Sequence, residues 1–136
     1  MIYADTNMFI RFFTSHPEEQ SETVNKFFIK VSLKEVELYV CDMVISEIVY
    51  VLERVYKVSR SEIYEKIHSI LNMENIVIEN RSVIVNALNY YKEKNINFND
   101  AYIASHAIRN NINKIFTFDN DFKKITGIKI INEVFT

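Results

Sequence analysis

The chain has 136 residues, 49% of them hydrophobic, which fits one domain with a substantial core and argues against disorder. Its 16 basic and 18 acidic residues give a formal net charge of −2, which excludes binding of nucleic acid through bulk positive charge. One glycine and one proline argue against a glycine-rich phosphate loop and against a turn-rich all-β fold.

The expected cellular compartment follows from cysteine usage and from the apolar runs. Cys41 is the only cysteine, so no internal disulfide can form, and a reducing compartment is the simplest interpretation. No apolar run reaches the roughly 18 residues that span a membrane. The N-terminus has Asp5 almost at once and lacks the cleavage site of a signal peptide. We therefore expect a soluble cytoplasmic protein without a membrane segment.

Strand-like and helix-like patterns alternate along the chain. In chain order they predict a strand at 2–4, a short helix or turn at 8–13, a helix at 18–31, a strand at 37–41 and a helix at 43–57. The second half continues with a helix after a capping box of Ser59 and Glu62, a strand at 76–79, helices at 81–94 and about 99–110, and strands at 115–118 and 128–131. This alternation predicts parallel strands joined by crossovers, hence a three-layer α/β/α sandwich in a single domain over 1–136.

Acidic residues follow two of the predicted strands. Asp5 comes directly after the first strand, and Asp119 comes directly after the strand at 115–118. Because ligands bind at the carboxyl ends of parallel strands, we expect both acids at the same edge of the sheet. Each also has a structural interpretation, since Asp5 can cap a helix and Asp119 can form a turn together with Asp121.

Two further acids belong to predicted helices. Glu47 stands in the apolar segment VISEIVYVLERV, with no basic residue three or four positions away. Either it reaches water at the edge of the apolar face or it needs a partner or a metal, and for Glu47 alone the first interpretation is favoured. Asp100 follows Asn99, and either residue can cap the next helix. Only one cap is needed, so the other residue is available for a second role.

The four acids together would form an oxygen-rich site if the fold brings them to one edge. Carboxylate oxygens are the ligands that Mg²⁺ and Mn²⁺ prefer. No thiolate or paired-histidine pattern indicates zinc, because the three histidines are scattered and are interpreted as structural. One or two divalent ions could bind at such a site.

With these residues in view, the sequence resembles the PIN-domain nucleases, and within them the VapC-type toxins of bacterial and archaeal toxin–antitoxin pairs. The resemblance covers nearly the whole chain and rests on an ordered set of segments. They are DTN at 5–7 with Arg11 following, SEIVYVLERVY with Glu47, FNDAYIASHA with Asp100, and TFDNDF with Asp119 and Asp121. The resemblance implies a PIN-like parallel sheet of about five strands in the order 3-2-1-4-5.

The resemblance also implies a Mg²⁺- or Mn²⁺-dependent endoribonuclease that hydrolyses phosphodiester bonds in tRNA, rRNA or mRNA. The implied catalytic and metal-binding residues are Asp5, Glu47, Asp100 and Asp119, with Asp121 as a further, indirect contributor. The implied supporting groups, which orient carboxylates or hold the attacking water, are Thr6, Asn7 and Thr117. The basic residues nearest the expected site, and hence the candidates for binding the RNA backbone, are Arg11 and Lys123.

A protein partner is expected from the phenylalanines near the N-terminus. Phe9, Phe12 and Phe13 crowd the short predicted helix, which can hardly bury three rings on one side. Simple core packing is the alternative interpretation, but an exposed apolar groove usually marks a protein partner. The resemblance implies that this partner is a VapB-type antitoxin whose helix enters the groove, and that the chain forms a homodimer.

Three alternatives remain open from the sequence. A housekeeping PIN ribonuclease would lack the antitoxin and would not be toxic on expression. A metal-dependent phosphatase of another α/β fold often needs a second aspartate two positions after the first, where this chain has Asn7. A non-catalytic interaction module would use its acids only as caps and turns, and Mg²⁺ or Mn²⁺ would leave its melting temperature unchanged.

Overall fold

Strands and helices alternate along residues 1–133, which are the residues that this computed structural model describes. The first part contains β1 (Ile2–Tyr3), α1 (Thr6–Thr14), α2 (Glu18–Ser32), β2 (Leu38–Val40), α3 (Asp42–Arg54), α4 (Arg60–Leu71) and β3 (Ile76–Ile78). The second part contains α5 (Arg81–Glu93), α6 (Phe98–Arg109), β4 (Lys114–Phe116), a 3₁₀ helix (Asn120–Lys124) and β5 (Lys129–Ile131). The chain divides into two compact units, Met1–Arg81 and the residues from Ser82 onward.

The first unit is built around a parallel sheet in the order β1-β2-β3. Ile2 pairs with Leu38, which in turn pairs with Ile76. Because no tight turn can join parallel strands, helices carry the chain back: α1 and α2 connect β1 to β2, and α3 and α4 connect β2 to β3. The carboxyl ends of these strands lie at one edge of the sheet. Asp5 and Asp42 follow β1 and β2 within two residues, and Glu79 directly follows β3.

The helices of the first unit each bury an apolar stripe. Helix α1 packs against α2 and α3, and α3 packs against α4. Side chains with no exposed surface include Phe9, Val31, Ile45, Leu52 and Ile67. Burying a side chain of this size contributes about 1.5–3 kcal/mol relative to leaving it exposed, so these contacts hold α3 in place against α1.

Local sequence signals set several of the helix boundaries. Pro17 precedes α2, as predicted from its suitability at a helix start. The hydroxyl of Ser59 accepts a hydrogen bond from the backbone N–H of Glu62 at 3.2 Å, which confirms the predicted start of α4. The segment predicted as a short helix or turn at 8–13 is a longer helix, α1, because Asp5 caps it three residues earlier.

The second unit contains two helices and a two-stranded parallel sheet of β4 and β5. Lys114 pairs with Lys129 and Phe116 pairs with Ile131. Tyr91 of α5 is fully buried, and its ring centroid lies 6.0 Å from that of Phe98, the first residue of α6. The 3₁₀ helix between β4 and β5 packs against α6 and against β5.

The predicted α/β class is confirmed, since short parallel strands alternate with helices throughout the described residues. The expected order places β2 between β3 and β1 and places β4 beside β5. Both arrangements are present, but they lie in two separate sheets. A pairing of β1 with β4 is not found in the described part of the chain, so one five-stranded sheet in the order 3-2-1-4-5 stays a prediction. A single domain over 1–136 also stays a prediction. Within residues 1–133, no helix combines the length and the apolar character needed to cross a membrane.

Candidate active site

A hydrogen bond between α1 and α3 orients Glu47 in the first unit. The hydroxyl of Thr6 donates to Oε2 of Glu47 at 2.7 Å, although the two residues are 41 positions apart. Thr6 is only 8% exposed, whereas Glu47 is exposed. Glu47 therefore reaches water, as the simpler sequence interpretation holds, but one of its oxygens is fixed. Its Oε1 has no hydrogen-bond partner among the described residues.

Asp5 lies directly before Thr6 and caps α1. Its Oδ1 accepts a hydrogen bond from the backbone N–H of Met8 at 3.2 Å, so the helix-cap interpretation is correct. The same bond brings the Asp5 carboxylate to the N-terminal end of α1, where the helix dipole favours negative charge. Thr6 lies at the same end of α1 and donates a hydrogen bond to Glu47. The residue after Asp5 therefore connects the start of α1 to Glu47.

Helix α6 begins earlier than predicted, and its cap is neither Asn99 nor Asp100. The side chain of Asn97 caps the helix by accepting a hydrogen bond from the backbone N–H of Asn99 at 2.8 Å. The expectation that Asn99 or Asp100 supplies the cap is therefore wrong. The physical reason is that Phe98 is buried as the first helical residue, which moves the capping position to Asn97. Asp100 lies in the first turn without serving as the cap.

Asp100 and Asp119 face each other in the second unit. Burial, then a side-chain hydrogen bond to Asp119, then the charges of Asp119 and Asp121, raise the pKa of Asp100 above its ordinary value. Burial and two like charges disfavour the ionised form of Asp100. A divalent cation beside Asp100 and Asp119 would offset this cost, so the pair suits a cation site.

Asp119 also has the local role that its position in the sequence indicates. It caps the 3₁₀ helix by accepting a hydrogen bond through Oδ1 from the backbone N–H of Asp121 at 2.8 Å. The hydroxyl of Thr117 accepts a hydrogen bond from the backbone N–H of Asp119 at 2.9 Å. Thr117 therefore acts on the main chain of Asp119 and not on a carboxylate. Asp121 forms an ion pair with Lys124 at 3.0 Å.

The donor chemistry of these acids fits Mg²⁺ or Mn²⁺. All the candidate ligands are carboxylates, which are hard oxygen donors, and neither sulfur nor imidazole is among them. Within residues 1–133, no group of three or more acidic, histidine or cysteine side chains is arranged as a metal site. In one unit the structure joins Glu47 to Thr6, the residue after Asp5, and in the other it places Asp100 beside Asp119. The convergence of all four at one site stays a prediction.

The remaining predicted site residues differ in their surroundings. Arg11 is half-buried, and its Nε is buried without a hydrogen-bond partner in the described part of the chain. Asn7 and Lys123 are exposed. The predicted roles of these three residues are not tested by their surroundings and stay predictions.

A buried acid that the sequence patterns do not single out lies at the start of α3. Asp42 is 8% exposed, and its carboxylate accepts two hydrogen bonds from Asn80: from the backbone N–H at 3.2 Å and from Nδ2 at 2.7 Å. In return, the backbone N–H of Asp42 donates to Oε1 of Glu79 at 3.2 Å. Asp42 directly follows the predicted strand at 37–41, as Asp5 follows the first strand. This position directly after a predicted strand is the sequence signal that could have identified Asp42.

Partial burial and nearby acids both act on the pKa of Tyr39 at this edge of the sheet. Burial, then the charge of Glu79, raise the pKa of the Tyr39 hydroxyl, with smaller contributions from Tyr3 and Asp42. The rings of Tyr3 and Tyr39 lie 5.1 Å apart on the paired strands β1 and β2.

Two comparisons with known proteins agree with this arrangement. The family model described as "PIN domain" matches residues 2–128, a range that includes every acid of the candidate site. A VapC ribonuclease of Aquifex aeolicus (strain VF5) is 37% identical over 120 residues, which are 88% of this chain and 88% of the relative.

Proposed function

Because the chain belongs to the PIN-domain family, and within it to the VapC type, we propose that it is a metal-dependent endoribonuclease and the toxin of a VapBC-type pair. The observation that carries this proposal is the pairing of Asp100 with Asp119. Burial and neighbouring acids disfavour the charge of Asp100, and a divalent cation bound there would offset that cost.

The proposed catalytic and metal-binding residues are Asp5, Glu47, Asp100 and Asp119, which hold one or two Mg²⁺ or Mn²⁺ ions. Asp121 contributes indirectly through the hydrogen bond of its backbone to Asp119. A divalent ion held there supplies charge stabilisation for the phosphodiester and lowers the pKa of water. Because the pKa of Asp100 is raised, ion binding there competes with protonation of Asp100.

The residues around the acids position them for hydrolysis. Thr6 holds one oxygen of Glu47, which leaves Oε1 for the cation. Thr117 holds the main chain of Asp119. Water attacks phosphorus in line and the bond from phosphorus to the 3′ oxygen breaks, which leaves a 5′-phosphate and a 3′-hydroxyl. Asn7 is proposed as an additional polar group beside the attacking water.

Binding of the RNA backbone has to come from local basic groups, because the net charge of the chain is −2. Arg11 is the first candidate, since its side chain is only half-buried and a guanidinium binds phosphate through several N–H groups. Lys123, which follows the Asp119 turn by four residues, is the second candidate. The proposed substrate class is tRNA, rRNA or mRNA in the cytoplasm.

An antitoxin site is proposed beside the N-terminal phenylalanines. Phe9 is fully buried, but Phe12 and Phe13 are half-buried and border a groove of about 380 Å³ on α4. Two acids, Glu62 and Glu65, line the same groove. Lys66 also lines the groove, with its Nζ 5.5 Å from the centroid of the Phe13 ring. A groove that combines aromatic and charged side chains suits an amphipathic helix, which is the segment expected of a VapB-type antitoxin.

A homodimer is also proposed. In the second unit, Ile103 and Ile112 are 48% and 53% exposed and border a groove of about 350 Å³. Exposed apolar side chains around a groove are typical of a protein–protein surface, so these residues support the proposal.

The decisive experiment measures cleavage of a panel of structured RNAs with and without Mn²⁺. We expect the wild type to cleave only with Mn²⁺, and Asp5→Asn and Asp100→Asn to lose activity because each removes a charged ligand. Glu22→Gln is the matched control, since Glu22 is an exposed acid of α2 paired only with Lys26. Equal cleavage by all four proteins would identify a contaminating nuclease and overturn the proposal.

A further inference from the structure

Helix α3, which carries Glu47, begins without a local cap. The residue at its N-cap position is Cys41, whose side chain makes no capping hydrogen bond. The first N–H groups of a helix have no partner within the helix and need one from elsewhere. Here the backbone N–H of Asp42 donates to the side chain of Glu79, 37 positions later and directly after β3. A residue at the end of a neighbouring strand therefore serves as the cap.

The contact between the end of β3 and the start of α3 is reciprocal. The Asp42 carboxylate accepts hydrogen bonds through Oδ1 from the Asn80 backbone and through Oδ2 from the Asn80 side chain. The backbone N–H of Glu79 also donates to the carbonyl of Val40 at 3.0 Å, which ties the same segment to the end of β2. We call Asp42, Glu79 and Asn80 the α3 anchor. Its four hydrogen bonds fix the start of α3 relative to two strand ends.

The position of Glu47 depends on where α3 starts. Glu47 follows Asp42 by five residues, about 7.5 Å along the helix axis, so it moves with the first turn as one rigid segment. Its carboxylate meets the Thr6 hydroxyl at 2.7 Å, and O–H···O bonds are confined to about 2.5–3.0 Å. A small shift of the helix start is therefore sufficient to break this contact.

From these contacts we infer that Asp42 and Asn80 are positioning residues for Glu47. The α3 anchor sets the start of α3 so that Oε2 of Glu47 meets Thr6 and Oε1 stays available to a cation. This inference rests on the proposed function, because it gives Glu47 the role of a metal ligand. It assigns a role in the reaction to residues that touch neither the metal nor the RNA.

The test first adds a negative charge at the Asp42–Asn80 pair and then exchanges the two residues. Mn²⁺ affinity is measured by calorimetry or electron paramagnetic resonance. Asn80→Asp removes the Nδ2 donor and places two carboxylates together. We expect about tenfold weaker Mn²⁺ binding, the lower end of the effect of losing an outer-shell partner. An added negative charge by itself would strengthen cation binding, so the sign of the change separates misplacement of Glu47 from simple electrostatics.

Repair comes from adding Asp42→Asn to Asn80→Asp. The amide at position 42 then donates to the carboxylate at position 80, and its oxygen still accepts from the backbone N–H of that residue. We expect Mn²⁺ affinity to return to within about twofold of wild type, because the net charge and the hydrogen bonds are both restored. Asn80→Ala removes only the side-chain bond and provides a second variant should Asn80→Asp not fold.

Ser59→Ala is the matched control for stability, because it removes the cap of α4 in the same unit without touching α3. The inference is overturned if the Asn80 variants bind Mn²⁺ as tightly as wild type while Glu47→Gln does not bind it. It is equally overturned if the double variant fails to recover, or if Ser59→Ala weakens binding as much as Asn80→Ala. Failure of the proposed function looks different: wild type and Glu47→Gln would then both show no Mn²⁺ binding.

Discussion

Asp100, in the first turn of α6, lies beside Asp119, which caps the 3₁₀ helix, and burial together with this acidic neighbour raises the pKa of Asp100. The pair is unfavourable when both groups are ionised, because the environment is partly desolvated and the charges are alike. This relationship links the stability of the metal-free protein to pH and to cation binding.

The metal-free protein should lose stability as pH rises. The pKa of Asp100 is raised above its ordinary value of 3.8, so its contribution to folding is present below that value and is lost as pH rises through the raised pKa. In EDTA, we expect the melting temperature of wild type to fall over this range relative to Asp100→Asn, which lacks the titrating group. Parallel curves for the two proteins between pH 4 and pH 7 would contradict this expectation.

Mn²⁺ should stabilise the folded protein, and more strongly at neutral than at acidic pH. A ligand at 100 times its dissociation constant adds about 2.7 kcal/mol of stability. At low pH protonation of Asp100, whose pKa is raised, competes with the cation, so the rise in melting temperature should shrink. Asp119→Asn should abolish most of the rise, whereas Glu22→Gln should keep it. A wild-type melting temperature that ignores Mn²⁺ would favour the non-catalytic interaction module.

The hydroxyl of Thr6 should matter more than its methyl group. Thr6→Val keeps the shape of this buried side chain but removes the donor to Glu47, and we expect cleavage to fall about 10- to 100-fold. Thr6→Ser retains the hydroxyl and should stay within a few-fold of wild type. Single-turnover cleavage with saturating Mn²⁺ gives the comparison. Equal rates for the two variants would show that the hydrogen bond does not contribute to the reaction.

The cap of α6 provides a test of stability that is separate from catalysis. Asn97→Ala removes the side-chain acceptor of the Asn99 N–H and should cost about 1 kcal/mol in the free energy of unfolding. Asn97→Asp keeps an acceptor and should unfold like wild type. Urea unfolding followed by circular dichroism measures both. If Asn97→Ala is as stable as wild type, another residue caps the helix.

Phe13 should be needed for relief of toxicity but not for toxicity. Expression of the chain in a bacterial host should arrest growth, and the small protein encoded beside it should restore growth. Phe13→Ala should weaken this relief, because Phe13 borders the proposed antitoxin groove. Ile29→Ala is a control at an exposed apolar residue of α2 outside the residues of this groove. Absence of growth arrest by wild type would favour a housekeeping ribonuclease.

Signals confined to a few neighbouring residues were predictable from the sequence. The Ser59–Glu62 capping box and the helical spacing of apolar residues predict α4 correctly, because both act within one or two turns of the chain. The role of Asn97 as the cap of α6 was not predicted, because it depends on contacts outside the local sequence. Asn99 and Asp100 were the candidates from the sequence, but the burial of Phe98, which depends on distant residues, places the cap at Asn97.

The order of residue types along this chain was sufficient to predict an α/β fold with parallel strands and a set of acids suited to a divalent cation. Periodicity and strand-end positions carry that information locally. The fold alone revealed that Thr6 holds Glu47, that Asp100 lies beside Asp119, and that Asn80 anchors α3 through Asp42. Each of these contacts joins residues far apart in the chain, so no local pattern encodes its distance or its geometry.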